Sequence, residues 1–291
     1  MLSNKYNELK TKLEQQDETV LPEVLQEYQN GNPEFAYLVG FAYLFGIGID
    51  KNRKKALKYF KKSAEVNNID AILWLGSIYS GDLLPYLKPK YKLAHKYYKT
   101  SHELNSLMGT SNFGNLLYTR GEKETGFNLI KEAYDKGYKD DVWLLFRLYE
   151  EYKQDFKMAF DALNDVEPKD IYAYIKLGRC YRDGRGTEKD EIKALKYFSI
   201  AMNLGNEIGM RELGLCYLLG IGTNVSKALG TKYIEMASDN KDYKSIDILD
   251  KLKHDENADF REFLNPNFSD PELLVRLLQV RKKLKWTKFL F

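Results

Sequence analysis

Apolar residues recur through most of the chain at helical spacing. In the clearest runs, which start at Ala56, Ala94 and Ala194, small and aromatic side chains stand at offsets of zero, three, four and seven. These offsets place one face of an α-helix toward a core, whereas a strand would show strict alternation. A second segment type, Leu-Gly-x-x-Tyr with Val in place of Leu at residue 39, precedes each of these runs. We call the Leu-Gly-x-x-Tyr segment helix A and the following run helix B.

The helix pair repeats along the chain. Helix A is anchored at residues 40, 76, 114, 146, 178 and 214, so the period lies between 32 and 38 residues. Such a period is typical of arrays in which each helix pair buries its apolar face against its neighbours. The pattern therefore predicts an all-α protein, a right-handed α/α solenoid of stacked helix-turn-helix repeats with about six units plus helical caps.

Residues at the predicted helix ends fit this scheme. Asn52, Asp190 and Ser226 lie four residues before a helix B anchor, where a side-chain oxygen can accept from a free backbone N–H. Eleven residues after the anchor stand residues suited to a left-handed closing conformation. They are Asn67, Asn105, Gly137 and Gly205. For helix A, the residues expected in this role are Gly46, Gly184 and Gly220, six residues after the anchor.

The repeat length varies at one place. From helix B to the next helix A the anchors are 19 or 20 residues apart, whereas from helix A to helix B the distance runs from 12 to 18. We therefore expect the A–B loop to lie on one side of the stack, where changes in length cost little. Small anchor residues should let helices approach closely, and the 22 Tyr are expected to fill gaps between stacked repeats.

These motifs resemble those of the Sel-one-like repeat (SLR) family, a relative of the tetratricopeptide repeat. The resemblance is carried by Gly-x-x-Tyr-x-x-Gly-x-Gly at three anchors, preceded by Leu or, at residue 39, by Val, and by Lys-Ala-x-x-Tyr-Phe at Lys55–Phe60 and Lys193–Phe198. It covers about three quarters of the chain. Repeats three and four depart from it, because Gly126 replaces the helix B Ala and Phe146 replaces the helix A Gly.

Three regions follow from this register. Residues 1–31 are predicted to form N-terminal capping helices, after which Asn32-Pro33 starts the first repeat with a capping residue and a proline. Residues 32–253 are predicted to form the SLR/tetratricopeptide-like solenoid. Residues 254–291 are predicted to form a C-terminal cap, with a last helix from Asp270 whose basic and aromatic end could also contact a partner or a membrane surface.

Composition narrows the range of partners. Apolar residues make up 44% of the chain and charged residues 30%, as in an ordinary globular protein. The net charge of +3 gives no overall drive toward nucleic acid. The polar start lacks the pattern of a signal peptide, and the longest uncharged stretch is too short for stable membrane insertion. A reducing cytoplasmic compartment is the resulting expectation.

Few residues carry recognisable chemistry. Cys180 and Cys216 stand at the same place in successive repeats and are expected to be buried thiols rather than a redox pair. His95, His102 and His254 are scattered and are expected on the surface, with no metal bound. The Gly-x-Gly loops lack the flanking residues of a phosphate cradle. We therefore expect no catalytic residues and no cofactor.

The resemblance implies a binding surface, because in tetratricopeptide-like arrays helix A lines a concave groove. Carrying over the inward offsets gives an apolar end and a central group of four arginines beside aromatic residues. The expected groove residues are Tyr37, Phe41, Asn115, Tyr118, Trp143, Arg147, Arg179, Arg182 and Arg211. Glu150, Glu151 and Asp183 are close enough in sequence to neutralise some of these arginines.

Two functions compete at this stage. The resemblance favours a non-catalytic adaptor that binds a segment of a partner protein, acidic in part, in the groove. The alternative is a regulatory or sensor module that binds a nucleotide or another small anion through the arginines. An enzyme on a solenoid scaffold is a third, weaker interpretation, because no catalytic set is visible.

Overall fold

The computed structural model describes residues 2–81, 88–166, 170–255 and 258–264, and all regular structure in these ranges is helical. The predicted last helix from Asp270 lies outside them. The helices are α1 Leu2–Glu14, α2 Leu21–Gln29, α3 Ala36–Phe45, α4 Arg53–Ala64, α5 Ile69–Ser80, α6 Tyr91–Glu103, α7 Leu107–Thr119, α8 Lys123–Asp135, α9 Val142–Leu148, α10 Phe156–Asn164, α11 Ile171–Asp183, α12 Glu191–Asn203, α13 Glu207–Leu219, α14 Lys227–Asp239 and α15 Tyr243–His254. The all-α repeat fold expected from the sequence is confirmed.

The chain divides into two compact units between Asp141 and Val142. The first contains α1, α2 and repeats one to three, whose helix pairs are α3/α4, α5/α6 and α7/α8. The second contains repeats four to six, formed by α9/α10, α11/α12 and α13/α14, followed by α15. Within each unit, every helix B also packs on the helix A that follows it, as the solenoid pattern requires.

The predicted helix starts and ends are confirmed. The side chains of Asn52 and Asp190 accept from the backbone N–H three residues on, at 3.0 and 2.9 Å, and Ser226 does the same. The predicted closing residues all have positive φ, including Asn67 at 57° and Gly184 at 67°. Asn32 differs from expectation, because its side chain donates to Glu27 instead of capping a helix.

Aromatic rings pack within each repeat. A Cβ atom on Gly178 would lie 2.6 Å from Cε1 of Phe198, and Gly76 and Tyr98 stand in the same relation. Next to this contact, the Tyr of helix A stacks on the Tyr of helix B, as Tyr181 does on Tyr197 with ring centroids 5.6 Å apart. The same stack occurs in repeats one, two and six. These tyrosines therefore pair the two helices inside a repeat. Tyr181 also packs on Phe160 of the preceding repeat, with ring centroids 5.3 Å apart, as expected of a residue that fills the gap between repeats.

Three A–B loops contact the preceding helix pair. The second glycine of each Gly-x-Gly has positive φ. Gly186 and Gly222 lie against the first residue of the previous helix B, and Gly48 lies against Glu18 and against Leu21 at the start of α2. A side chain at Gly186 would overlap the carbonyl oxygen of Phe156, and one at Gly222 would overlap that of Glu191. The glycines of these loops are consequently packed against the preceding helices.

Repeat four differs from the others. Phe146 stands where a glycine is found elsewhere, and its ring packs against Trp143 with centroids 5.8 Å apart. α9 ends after seven residues and continues as a π-helical turn, Tyr149–Lys153, closed by Gln154 with a φ of 54°. A π turn inserts one residue into the helical ladder, so the side chains after Leu148 are displaced from the predicted offsets.

Candidate interaction site

A buried group of charges joins repeats five and six. Arg179 and Arg182 lie on α11, and both donate to the carboxylate of Glu212 on α13. Arg179 uses Nε and Nη2 toward Oε1, at 2.8 and 2.5 Å, while Nη1 of Arg182 reaches Oε2 at 2.7 Å. Arg182 also forms a two-pronged pair with Asp183. Each carboxylate oxygen of Glu212 therefore accepts from a different arginine.

A second buried pair extends this group to α15. Arg211 on α13 donates to Asp242, which precedes α15. Asp242 also caps that helix, because its other oxygen accepts from the backbone N–H of Ser245 at 2.9 Å and from the Ser245 hydroxyl. One carboxylate thus starts a helix and neutralises an arginine of the previous repeat.

Burial and charge act in opposite directions on Glu212. Burial alone would raise the pKa of this carboxyl, but the positive charges of Arg179, Arg182 and Arg211 lower it to about 2. Burial likewise disfavours the charged form of Arg182, yet Glu212 and Asp183 raise its pKa above the ordinary value. Glu212 is consequently ionised at neutral pH and holds the two arginines of α11 as charged partners.

Three of the four arginines expected in the groove are enclosed. Arg179, Arg182 and Arg211 are each no more than 3% exposed, so the expectation of exposed guanidinium groups at these positions is wrong. Their partner Glu212 was not among the predicted residues, although it stands beside Arg211 in a helix A whose other residues are mostly apolar. Asp183 neutralises Arg182 as expected, whereas Glu150 pairs with Arg185. A sensor for small anions loses its main support, because it needs an open cationic site.

The expected apolar end of the groove is also core. Tyr37 and Phe41 are both about 1% exposed. The ring of Tyr37 packs on Phe60 with centroids 5.8 Å apart, and Nζ of Lys10 lies 5.6 Å from the same ring. The N-terminal helix α1 thus contributes to covering this position. The inward offsets therefore identify packing residues here, and any binding role for them stays a prediction.

The other four expected residues are partly exposed. Asn115 and Tyr118 lie on α7 of the first compact unit, and Trp143 and Arg147 lie on α9 of the second. Nε1 of Trp143 donates to Asp170 at 2.6 Å, and Asp170 also caps α11 by accepting from the N–H of Ala173. Arg147 is 31% exposed, with Glu151 3.9 Å from its Nε. Trp143 and Arg147 lie one helical turn apart on α9, and in the second unit they are the expected site residues that remain partly exposed.

A further buried charge lies beside the π turn. Lys176 on α11 is enclosed, with Nζ 5.5 Å from the Phe146 ring. Burial lowers the pKa of this lysine to about 8, against the opposing effect of Glu150. Burial also raises the pKa of Glu150, although Lys176 and Arg185 act in the opposite sense. Sequence reasoning missed Lys176, since a lysine within an amphipathic helix is ordinarily assigned to the solvent face.

The thiols are buried as expected, whereas His102 is half-buried rather than on the surface. Cys180 and Cys216 are free and buried, and burial raises the pKa of Cys180 to about 12. His95 is exposed, and His102 contacts the Thr110 hydroxyl through Nδ1. Among the described residues, no cluster of three His, Cys, Asp or Glu side chains is arranged to hold a metal ion.

Comparison with known proteins identifies the class. The Sel1 repeat matches four times, over residues 33–68, 69–106, 171–206 and 208–242. These are repeats one, two, five and six of the solenoid, and the two unmatched repeats are those that depart from the motif. The chain belongs to the Sel1 repeat family, whose members generally mediate protein–protein interactions on a scaffold that is typically not enzymatic.

Solved structures with the same fold are distant in sequence. A protective antigen of uropathogenic Escherichia coli with an SLR fold superposes with a TM-score of 0.65 at 19% identity over 91% of this chain. A Sel1 repeat protein from Oxalobacter formigenes gives a TM-score of 0.60 at 23% identity over 76% of it. This chain covers 56% and 65% of those two chains. Among the helices that the structure describes, none is long and apolar enough to cross a bilayer.

Proposed function

We propose that the protein is a non-catalytic scaffold that binds a segment of a partner protein, with Trp143 and Arg147 among its contact residues. Trp and Arg are the side chains that most often dominate binding energy at protein interfaces. Here they stand four residues apart on α9, and both are partly exposed. In the first unit, Asn115 and Tyr118 on α7 offer a further polar and aromatic pair.

The observation that carries this proposal is the contrast between Arg147 and the enclosed arginines. Arg179 and Arg182 are enclosed and paired with Glu212, whereas Arg147 is 31% exposed and its carboxylate neighbour is 3.9 Å away. Beside it, the hydrogen bond to Asp170 fixes the Trp143 indole. A fixed aromatic face next to an accessible guanidinium suits a segment with an apolar anchor and a carboxylate. The partner segment is therefore expected to be acidic in part.

The test compares two double variants of the full chain. Trp143→Ala with Arg147→Ala removes the proposed contacts, and Tyr243→Ala with Lys232→Ala removes an exposed aromatic and a cation from α15 and α14. A partner captured by the tagged wild-type protein is purified, and its affinity is measured by calorimetry. We expect at least about a tenfold loss for the first variant, since two hot-spot side chains are removed, and none for the second. Equal affinities, with helicity intact by circular dichroism, would contradict the proposal.

The expected compartment remains the cytoplasm. Support comes from the two thiols, which are free and enclosed, as in proteins of reducing compartments. Fractionation of cells that express the tagged chain checks this expectation, and recovery in an extracytoplasmic fraction would contradict it.

A further inference from the structure

The chain carries a concentrated positive region that its net charge conceals. Residues 51–99 contain twelve Lys or Arg against three Asp or Glu, a net charge of +9, whereas the rest of the chain has 33 basic and 39 acidic residues. Eleven of the twelve basic residues are lysines. An overall charge of +3 therefore conceals a local excess of positive charge within residues 51–99.

The structure places this charge on the outer faces of α4 and α6. Lys54, Lys58 and Lys61 follow each other along one exposed stripe of α4, and Lys92 and Lys96 do so on α6. Lys61 is near enough to Tyr97 on α6 to oppose the rise in the pKa of that phenol caused by burial. The two helix faces thus lie side by side, and we call them the lysine face.

The lysine face lacks the pairing found on other helices. Several surface lysines on other helices meet a carboxylate four residues away, as in Lys131–Asp135 and Lys157–Asp161. Among the described residues, Lys54, Lys58, Lys61, Lys92 and Lys96 form no ion pair. Like charges four residues apart destabilise a helix by about 0.2–0.5 kcal/mol per pair. A stripe of such like-charged pairs therefore lowers the stability of the helix slightly, and binding of an external polyanion would offset this loss.

The choice of lysine over arginine indicates what kind of anion fits. This protein uses arginine forks where a single carboxylate is gripped, as at Glu212. Lysines act instead as separate point charges, which suits a diffuse negative surface. Exposed apolar groups also stand among them: Tyr91 and Leu93, in the first turn of α6, are 43% and 36% exposed beside Lys90 and Lys92. A bilayer interface accommodates such side chains, whereas the phosphate backbone of a duplex does not.

We infer that the lysine face docks the protein peripherally on an anionic lipid bilayer. This goes beyond the proposed function, because it concerns a different face and a different partner. Each lysine near an anionic bilayer contributes about 1 kcal/mol. The attraction is Coulombic and is screened within about 10 Å at 0.1 M salt. The face therefore holds the scaffold reversibly at the surface of the bilayer.

The experiment measures cosedimentation of the full-length protein with vesicles. The probes are phosphatidylcholine vesicles with and without phosphatidylserine at about one part in three, and a DNA duplex of mixed sequence. The test variant is Lys54→Gln with Lys58→Gln and Lys61→Gln. The matched control removes the same charge from exposed positions in the second unit, by Lys196→Gln with Lys227→Gln and Lys232→Gln. Circular dichroism establishes that both variants are folded.

We expect salt-sensitive binding to the phosphatidylserine vesicles, reduced about 100-fold in the test variant and little changed in the control. Vesicles of phosphatidylcholine alone should not bind. Three results would each overturn the inference: no binding to anionic vesicles, equal loss in both variants, or tighter binding to the duplex that depends on the same three lysines. Undiminished vesicle binding by the test variant would assign any membrane contact to another part of the chain.

Discussion

At the scale of single side chains, the stability of the second compact unit depends strongly on buried ion pairs. Glu212 balances two arginines of the previous repeat, and Asp242 balances Arg211. Removing one partner of a buried ion pair leaves an uncompensated charge, which costs about 3–5 kcal/mol. The carboxylates are therefore more informative positions for substitution than the arginines that sequence reasoning selected.

We predict that Glu212→Gln lowers the free energy of unfolding by about 3–5 kcal/mol, measured by urea denaturation. Glu235→Gln, on the exposed face of α14, should be close to neutral. The wild-type contribution of Glu212 should also depend on pH. It is complete above the unfolded pKa of about 4.5 and is lost as the pH falls toward about 2. If both variants are equally stable, Glu212 does not balance the arginines.

Lys176 should show the opposite behaviour. Its folded-state pKa of about 8 lies below the ordinary 10.5, so burial of the charged form costs stability at neutral pH. We predict that Lys176→Met raises the free energy of unfolding by about 1–3 kcal/mol at pH 7. Wild-type stability should rise between pH 8 and 10.5, where the folded state releases a proton that the unfolded chain keeps. The advantage of the variant should therefore shrink over that range, and a constant difference would contradict the explanation.

At the scale of helices, the sequence predicts the elements well because each helix carries local signals. The capping residue, the closing residue and the apolar spacing all act within one helix, and the structure has them where they were expected. Contacts between helices were harder to predict, because offsets carried over from related arrays do not account for what covers a position. Tyr37 is enclosed with help from α1, and the π turn displaces the residues after Leu148.

The close contact of helices A and B can be tested at Gly178. We predict that Gly178→Val costs about 2–4 kcal/mol, because its Cβ would lie 2.6 Å from the Phe198 ring and would force the two helices apart. Gly205→Ala is the comparison, since nothing lies within 4 Å of a Cβ there and only the φ of 81° is unfavourable. That change should cost about 1 kcal/mol. Thermal unfolding of both variants shows which substitution lowers stability more. Equal losses of stability would refute the close contact at Gly178.

At the scale of the whole molecule, stability is distributed along an array. Each helix packs chiefly on its neighbours in sequence, so the total is approximately a sum of local contributions. The uneven distribution of charge also belongs to this scale. The excess of lysine in residues 51–99 can be counted from the sequence. That these lysines point outward from α4 and α6 required the structure, because helical spacing alone does not show which helix faces remain uncovered.

The array predicts additive responses. Phe60→Leu in the first compact unit and Phe198→Leu in the second each remove part of a fully enclosed ring, at about 1–2 kcal/mol. We predict that the double variant loses the sum of the two costs within about 0.5 kcal/mol. Amide hydrogen exchange should show each change confined to the helices around its own site. Exchange that accelerates throughout the chain after either substitution would indicate a single cooperative unit.

The contact of each Gly-x-Gly loop with the preceding helix B has a consequence for protein engineering. Gly186 lies against Phe156, and Gly222 against Glu191, so a loop is shaped to the helix of the repeat before it. A designer who inserts or deletes a single repeat, cut at helix A, would separate each loop from the surface that it fits. The transferable segment instead runs from one helix B through the next helix A and its loop. Chimaeras joined inside a helix pair should therefore fold more readily than those joined between pairs.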